Sequence, residues 1–200
     1  MSAVVVDISM SLDGYVTGPD VDLEHGLGQG GEVLHVWAID GDAADRAVLD
    51  SSFLETGAVI QGRTLFDIID GPNGWSEEMG YGAQGADKHV PPIFVLTHEP
   101  PATTRLGDRF RFVTDGPASA LRQAQEVADG KDIVVMGGGE TCYAFLAAGL
   151  ADVVRLHVAP VVLGAGTRLF PAESAARINL ELTGTVSTPA AQHLTYKVVK

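Results

Sequence analysis

The sequence predicts an α/β protein with a mainly parallel central sheet, helices on both faces and an antiparallel pair of strands at its C-terminal end. Three observations carry this. Short β-rich apolar runs alternate with helical patterns from Val4 to Leu150, the signature of strand–helix–strand crossovers. Three of those runs end in VIQGRT, FVLTHE and VVMGGGET, rich in glycine, hydroxyl and basic residues where ligands of such sheets bind. Beyond Val153 the helical pattern stops and β-rich runs follow one another directly.

The elements can be justified in order. Val4 to Met10 alternates as a strand, with Val4, Val6, Ile8 and Met10 on one face and Val5, Asp7 and Ser9 on the other. An acid in the middle of such a run needs a partner or a task. An Asp13-Gly14 turn leads to Tyr15-Val16, and residues 18–31 are glycine-rich, acidic and loop-like. A helix is expected over Asp42 to Leu54, with Asp42 as N-cap and Gly57 after its end. Ala58 to Gln61 is a buried strand, followed at Gly62-Arg63-Thr64 by a short helix to Ile69. Residues 71–92 read as loop. Ile93 to Thr97 and Phe110 to Thr114 are strands, and Pro117 starts a helix to Ala128. Ile133 to Met136 is a strand, three glycines follow, and a small-residue helix from Glu140 ends at Gly149. Val153 to Leu163 is β-rich, with Pro160 marking a bend or an edge. Ile178 to Val186 and His193 to Val199 form the closing antiparallel pair.

The chain has 200 residues, 46% hydrophobic and 20% charged, which suits one domain spanning 1–200 with a sizeable core. A formal net charge of −13 argues against nucleic-acid binding. It leaves room for an anionic ligand, because a site can be locally positive on an acidic protein. The single cysteine, Cys142, excludes an intrachain disulfide and reads as a packing residue. No apolar run approaches the length of a membrane span. The N-terminus carries no basic segment before its first strand pattern, so a cytoplasmic location is expected. The histidines His25, His35, His89, His98, His157 and His193 lack metal-ligand spacing, so no metal is expected. Trp37 and Trp75 could line a pocket, and packing is the commoner role for an isolated tryptophan.

The stretch Lys131 to Leu150 is the strongest local signal. A strand, three glycines and a helix N-terminus place backbone N–H groups where a phosphate can sit. GGGET is neither GxGxxG nor a P-loop, and a tight strand-to-helix turn is the plainer reading of these residues alone.

MSLDGYVTG, VIQGRTLFD, IFVLTHEP, VVMGGGETCYAFL and LHVAPVVLGAGTRLFP, in this order and spacing, resemble the dihydrofolate reductase-like superfamily. Within it the chain resembles stand-alone relatives of the reductase domain of the bifunctional riboflavin deaminase-reductase, from Val4 to Val199. The resemblance implies a three-layer α/β/α sandwich, NADPH as cofactor and a homodimer paired through the C-terminal strands. It would put Ser9 and Val16 beside the nicotinamide and Gly62, Arg63 and Thr64 at the cofactor phosphates. Leu96, Thr97 and His98 would lie along the adenosine ribose and its 2′-phosphate. Gly137, Gly138, Gly139, Glu140 and Thr141 would hold the pyrophosphate, Met136 before them would also bind the cofactor, and the first glycine pair is commonly a cis peptide in this family.

This chain departs from the resemblance in places. Where many relatives have a basic residue after the Thr-His pair, it has Glu99. The helix position that carries a pterin-binding carboxylate in dihydrofolate reductases falls on Arg46, with Asp45 beside it and Asp50 a turn on. No HxE with PCxxC is present, so no deaminase motif is found. The expected activity is NADPH-dependent reduction of a small heterocycle, aminopyrimidine-like or pterin-like. The alternative is a nucleotide-binding module that reduces nothing. Asp7 is the leading proton donor, with a pKa expected to be raised by burial beside Ser9. Asp45 and Asp50 stand in reserve, and their plainer role is a solvated helix face. For Asp7 the plainer role is pairing with a buried arginine or capping backbone.

Overall fold

The computed structural model describes residues 2–76, 78–82, 90–171 and 177–200. His89 lies outside the described residues. The elements are β1 Val4–Ser11, a 3-10 turn Gly31–His35, α1 Val36–Asp40, α2 Ala43–Glu55, β2 Thr56–Gly62, α3 Arg63–Ile69, β3 Ile93–Leu96, a 3-10 turn Gly107–Arg109, β4 Phe110–Val113, α4 Pro117–Val127, β5 Asp132–Gly137, α5 Gly139–Ala147, β6 Val153–Ala159, β7 Asn179–Ser187 and β8 Gln192–Val199.

These strands form one eight-stranded sheet in the order β4-β3-β2-β5-β1-β6-β8-β7. From β4 to β6 every pairing is parallel, whereas β8 pairs antiparallel with both β6 and β7. The sheet is the middle layer of an α/β/α sandwich. On one face α4 and α5 pack with Val6, Ile60, Phe94, Val135 and Phe145. On the other, α3 packs Phe66 and Ile69 on Val59, Ile93 and Val95, and α2 lies over Asp7. Alternation decides the division: neighbours along each parallel strand point to opposite faces, and both are covered. Fully burying an aromatic or aliphatic side chain such as Phe66 or Phe145 stabilises the fold by about 1.5–3 kcal/mol.

The predicted elements appear with small shifts of boundary. Asp42 caps α2, accepting from Ala44 N and Asp45 N, and Asp45 returns a carboxylate to Asp42 N in a capping box. Gly149, at φ +67°, follows the end of α5. Pro160 ends β6 instead of bending it. The Gly137–Gly138 peptide is cis.

Two features differ from the sequence reading. The helical turns at 31–40 come from a stretch with no clear element pattern. They are short, and neither has a side-chain cap, so they rest on packing of Leu34 and Trp37. Gly57 does not stop α2 in the way expected, because the strand begins directly at Thr56. Its glycine is required by close approach: a Cβ there would overlap the Ala128 carbonyl at the end of α4.

Gly57→Ala is therefore expected to lower unfolding stability by about 1–3 kcal/mol through overpacking against backbone. Urea titration should show a lower midpoint at an unchanged slope.

Candidate active site

A cleft of about 1920 Å³ opens along the carboxyl ends of the parallel strands, where the crossover topology leaves a crevice. Its volume exceeds that of an ordinary single-ligand pocket. Every residue assigned above to the cofactor lines this cleft.

One wall is made of three strand-end loops held close by glycine. A Cβ on Gly62 would overlap the Thr141 hydroxyl, and one on Gly139 would come within 2.9 Å of Val16 Cγ2. These contacts lock the ends of β2 and β5 and the segment after β1 into one surface. Gly138 has nothing within 4 Å of its Cβ position, so backbone there is open to a ligand. Arg63, first residue of α3, donates from Nε to Asp67 at 2.7 Å and from Nη1 to Thr97 Oγ1 at 3.3 Å and the Glu99 carbonyl at 2.5 Å. Its other terminal nitrogen has no protein partner among the described residues. Thr64, His98, Gly138 and Glu140 are exposed.

The opposite wall is polar and mostly buried. Asp7, on β1, accepts from the Ser52 hydroxyl of α2 at 3.2 Å and lies 4.0 Å from the Arg155 guanidinium of β6. Its Oδ1 is 2.9 Å from His157 Nε2. His157 Nδ1 is 2.7 Å from Nδ1 of His193 on β8, and His193 Nε2 is 2.8 Å from Asp45 Oδ1. Asp45 also accepts from the Thr188 hydroxyl at 2.8 Å. Trp37 covers this row, its ring centroid 4.1 Å from that of His157, and donates from Nε1 to Ser9 Oγ at 2.9 Å. Tyr81 closes the side, its hydroxyl 3.4 Å from Ser52 Oγ and 2.9 Å from Thr56 Oγ1.

The candidate acids are sorted by these contacts. Asp7 faces the cleft beside Ser9, as strand alternation requires, but the expected rise in its pKa is corrected. Burial pushes the carboxyl up, yet His157, Arg155 and Ser52 together outweigh burial and hold it below the usual carboxylate range. Asp45 is not on a solvated face: it is 1% exposed and does not line the cleft. Burial pushes it up too, and His193, Thr188 and the Asp42 backbone outweigh that and hold it low. Asp50 is exposed on the outer side of α2 and leaves the candidate set. Arg46 is likewise exposed and donates to the Gly41 carbonyl at 2.6 Å. The α2 residues that line the cleft are instead Ala44, Ala47, Val48, Leu49, Ser51, Ser52, Phe53 and Glu55, and Arg46 is not among them.

Sequence reasoning missed Ser52, Tyr81, Arg155, His157 and His193 as site residues. For Arg155 and His157 a signal existed: both are polar, two apart, and share one face of a central strand with apolar neighbours on the other. Cys142 is buried and packs as expected, with burial pushing its thiol up. Among the described residues no three His, Cys, Asp or Glu side chains converge as metal ligands. No helix among them is long and apolar enough to cross a membrane.

His35 also lines the cleft, and its Nδ1 is buried without a partner. Burial, then the nearby His157, lower its pKa to about 4 from 6.5. The unfolded chain therefore takes up a proton that the fold refuses. The contribution is fully present above pH 6.5 and is lost as pH falls toward 4. His35→Gln should flatten the stability-versus-pH curve in that window, as read by urea unfolding at a series of pH values.

Comparison with known proteins gives the family and the fold. A family model described as the RibD C-terminal domain matches residues 2–194. The Bacillus subtilis (strain 168) protein YyaP is 24% identical over 190 residues, covering 91% of this chain and 87% of that one. A pyrimidine reductase-like protein from Corynebacterium diphtheriae superposes with a TM-score of 0.60 at 16% identity, covering 100% of this chain and 92% of the other. The Thermotoga maritima diaminohydroxyphosphoribosylaminopyrimidine deaminase/5-amino-6-(5-phosphoribosylamino)uracil reductase gives 0.62 at 10% identity over 99% of this chain and 57% of its own. At these identities the structural likenesses establish the shared fold. The family match extends over nearly the whole chain, from before the first strand into β8, and the chain belongs to the RibD C-terminal domain family.

Proposed function

We propose that this protein is an NADPH-dependent reductase of a small heterocycle, aminopyrimidine-like or pterin-like. The observation that carries the reading is the cleft itself: the strand-end loops line one wall and a buried acid and its partners line the other. The volume of about 1920 Å³ has room for a dinucleotide and a second small molecule together. The Thermotoga relative's printed activity supplies the substrate class, a phosphoribosylamino-uracil.

The loop wall fits a dinucleotide. Gly138 leaves open space at the start of the nine-residue helix α5, so N–H groups there are available to a pyrophosphate. Arg63 keeps one free nitrogen for a phosphate and is oriented by Asp67, Thr97 and Glu99. Val16 and Ser9 flank the place for the nicotinamide, with Ser9 fixed by Trp37. NADPH would supply the hydride. The chain's residues orient the acceptor, exclude water and deliver the proton to its heteroatom. Asp7 is the carboxyl of the cleft wall closest in sequence to Ser9, and Asp45 positions its partners from behind.

Arg63→Ala should weaken NADPH binding by about 1–3 kcal/mol, as measured by fluorescence titration; unchanged affinity would remove Arg63 from the phosphate site. NADPH absorbance should fall when 5-amino-6-(ribosylamino)uracil 5′-phosphate is added. Binding of NADPH with no consumption across aminopyrimidines and pterins would favour a nucleotide-binding module. We also propose a homodimer through the edge strand β7, where Leu180, Leu182 and Val186 are exposed. Sedimentation at micromolar concentration should give twice the chain mass, and a monomer would refute it.

A further inference from the structure

The row Asp7–His157–His193–Asp45 has more short polar contacts than two neutral imidazoles have protons. Its three contacts are Asp7 Oδ1 to His157 Nε2 at 2.9 Å, Nδ1 to Nδ1 at 2.7 Å, and His193 Nε2 to Asp45 Oδ1 at 2.8 Å. Each joins two atoms that both present a lone pair unless one of them holds a proton. At these distances each contact needs its own proton. Neutral imidazoles bring one N–H apiece, and ionised carboxylates bring none. The central contact decides the matter, because two ring nitrogens that both turn their N–H toward a carboxylate would meet lone pair to lone pair.

We propose that these four side chains hold three protons, the third on His157, and that the row is a proton reserve whose outlet is Asp7. Its use in catalysis rests on the reductase reading above; the proton count does not.

The surroundings agree. Ser52 and Arg155 face Asp7, Tyr81 sits behind Ser52, and Glu55 and Asp132 hold Arg155 from the other side at 2.7 and 3.9 Å. Thr188 and the Asp42 N–H face Asp45. None of these donors enters any of the three contacts. Both carboxyls are held below their usual range by their partners against the effect of burial, so the third proton belongs to the imidazoles. Burial, then the charge of His157, lower His193 despite Asp45. That leaves His157, whose ring lies under the Trp37 indole at 4.1 Å and a tilt of 34°, a face that attracts a cation. His35 and Cys142 are the remaining titratable neighbours, and both stay neutral at ordinary pH, His35 because burial lowers it and Cys142 because burial pushes its thiol up.

The step balances. With NADPH bound to supply hydride to the acceptor carbon, the C=N π bond of the acceptor would break toward nitrogen. The His157 Nε2 proton passes to Asp7 Oδ1, and Asp7 releases a proton to that nitrogen. The row then has two protons for three contacts, with lone pairs facing each other at Asp7 and His157. Uptake of one proton from water restores it.

The test is histidine ring 15N NMR on the whole protein, with and without NADP+. At pH 7 the expected spectrum has both nitrogens of His157 protonated, only Nε2 of His193 protonated, and a through-hydrogen-bond coupling between the two Nδ1 atoms. Asp45→Asn removes a charge from the far end and should reduce several-fold the share of His157 rings that hold both protons at pH 7. Singly protonated rings in both histidines at pH 7 would overturn the inference, as would an unchanged share of doubly protonated His157 in Asp45→Asn. The wild-type spectrum decides the count even where the variant fails to fold. A three-proton row in a protein that never oxidises NADPH leaves the count standing and removes the reductase reading. NADPH oxidation with singly protonated rings removes only the proton reserve.

Discussion

A carboxylate in the middle of a central strand is the constraint on which this site is built. β1 is flanked by β5 and β6, so Asp7 sits in the interior of the sheet, where an isolated charge is costly. Each element laid against that face answers it. α2 contributes Ser52, β6 contributes Arg155 and His157, and the segment at 31–40 covers the row with Trp37. Because His157 needs a partner for its second nitrogen, the demand passes to His193 on β8 and then to Asp45 at the start of α2. The antiparallel C-terminal strands are thereby tied to α2 by a polar row. Such a fully partnered row specifies one arrangement, because breaking any contact leaves a buried group unsatisfied.

How much was legible follows from how local each feature is. The strands, the crossover helices and the strand-end loops are written in neighbouring residues: alternation in VVVDISM, the Asp42 cap, and glycines followed by a helix in GGGET. The residues of the polar row are distant in the chain, with Asp7 and His157 separated by 150 positions and Asp45 and His193 by 148. Only the strand order β1-β6-β8 brings them together. Helix register was a second limit. The resemblance put Arg46 at the position of the pterin-binding carboxylate, whereas Arg46 is absent from the cleft lining and Ser52 and Glu55 are part of it. The pKa of Asp7 was misjudged for the same reason: burial was readable, and the partners that outweigh it were not.

The two walls of the cleft differ in how they are made rigid. The loop wall relies on missing side chains, with glycines that let Thr141 and Val16 come close. The polar wall relies on side chains that complete one another. Ligand backbone contacts suit the first and proton movement suits the second, and the division follows from which residues each strand presents at its end.

The placement of indole groups has an optical consequence. The chain has two tryptophans, Trp37 and Trp75, and both line the cleft. Trp37 stacks on a histidine of the polar row, and Trp75 lies under the Arg109 guanidinium at 5.0 Å. All of the protein's tryptophan emission therefore originates at the site, with no background from indoles elsewhere. A change in the charge of the His157 ring alters the surroundings of Trp37, and a ligand entering between the walls meets a cleft that both indoles line, so the molecule reports its own occupancy without a label.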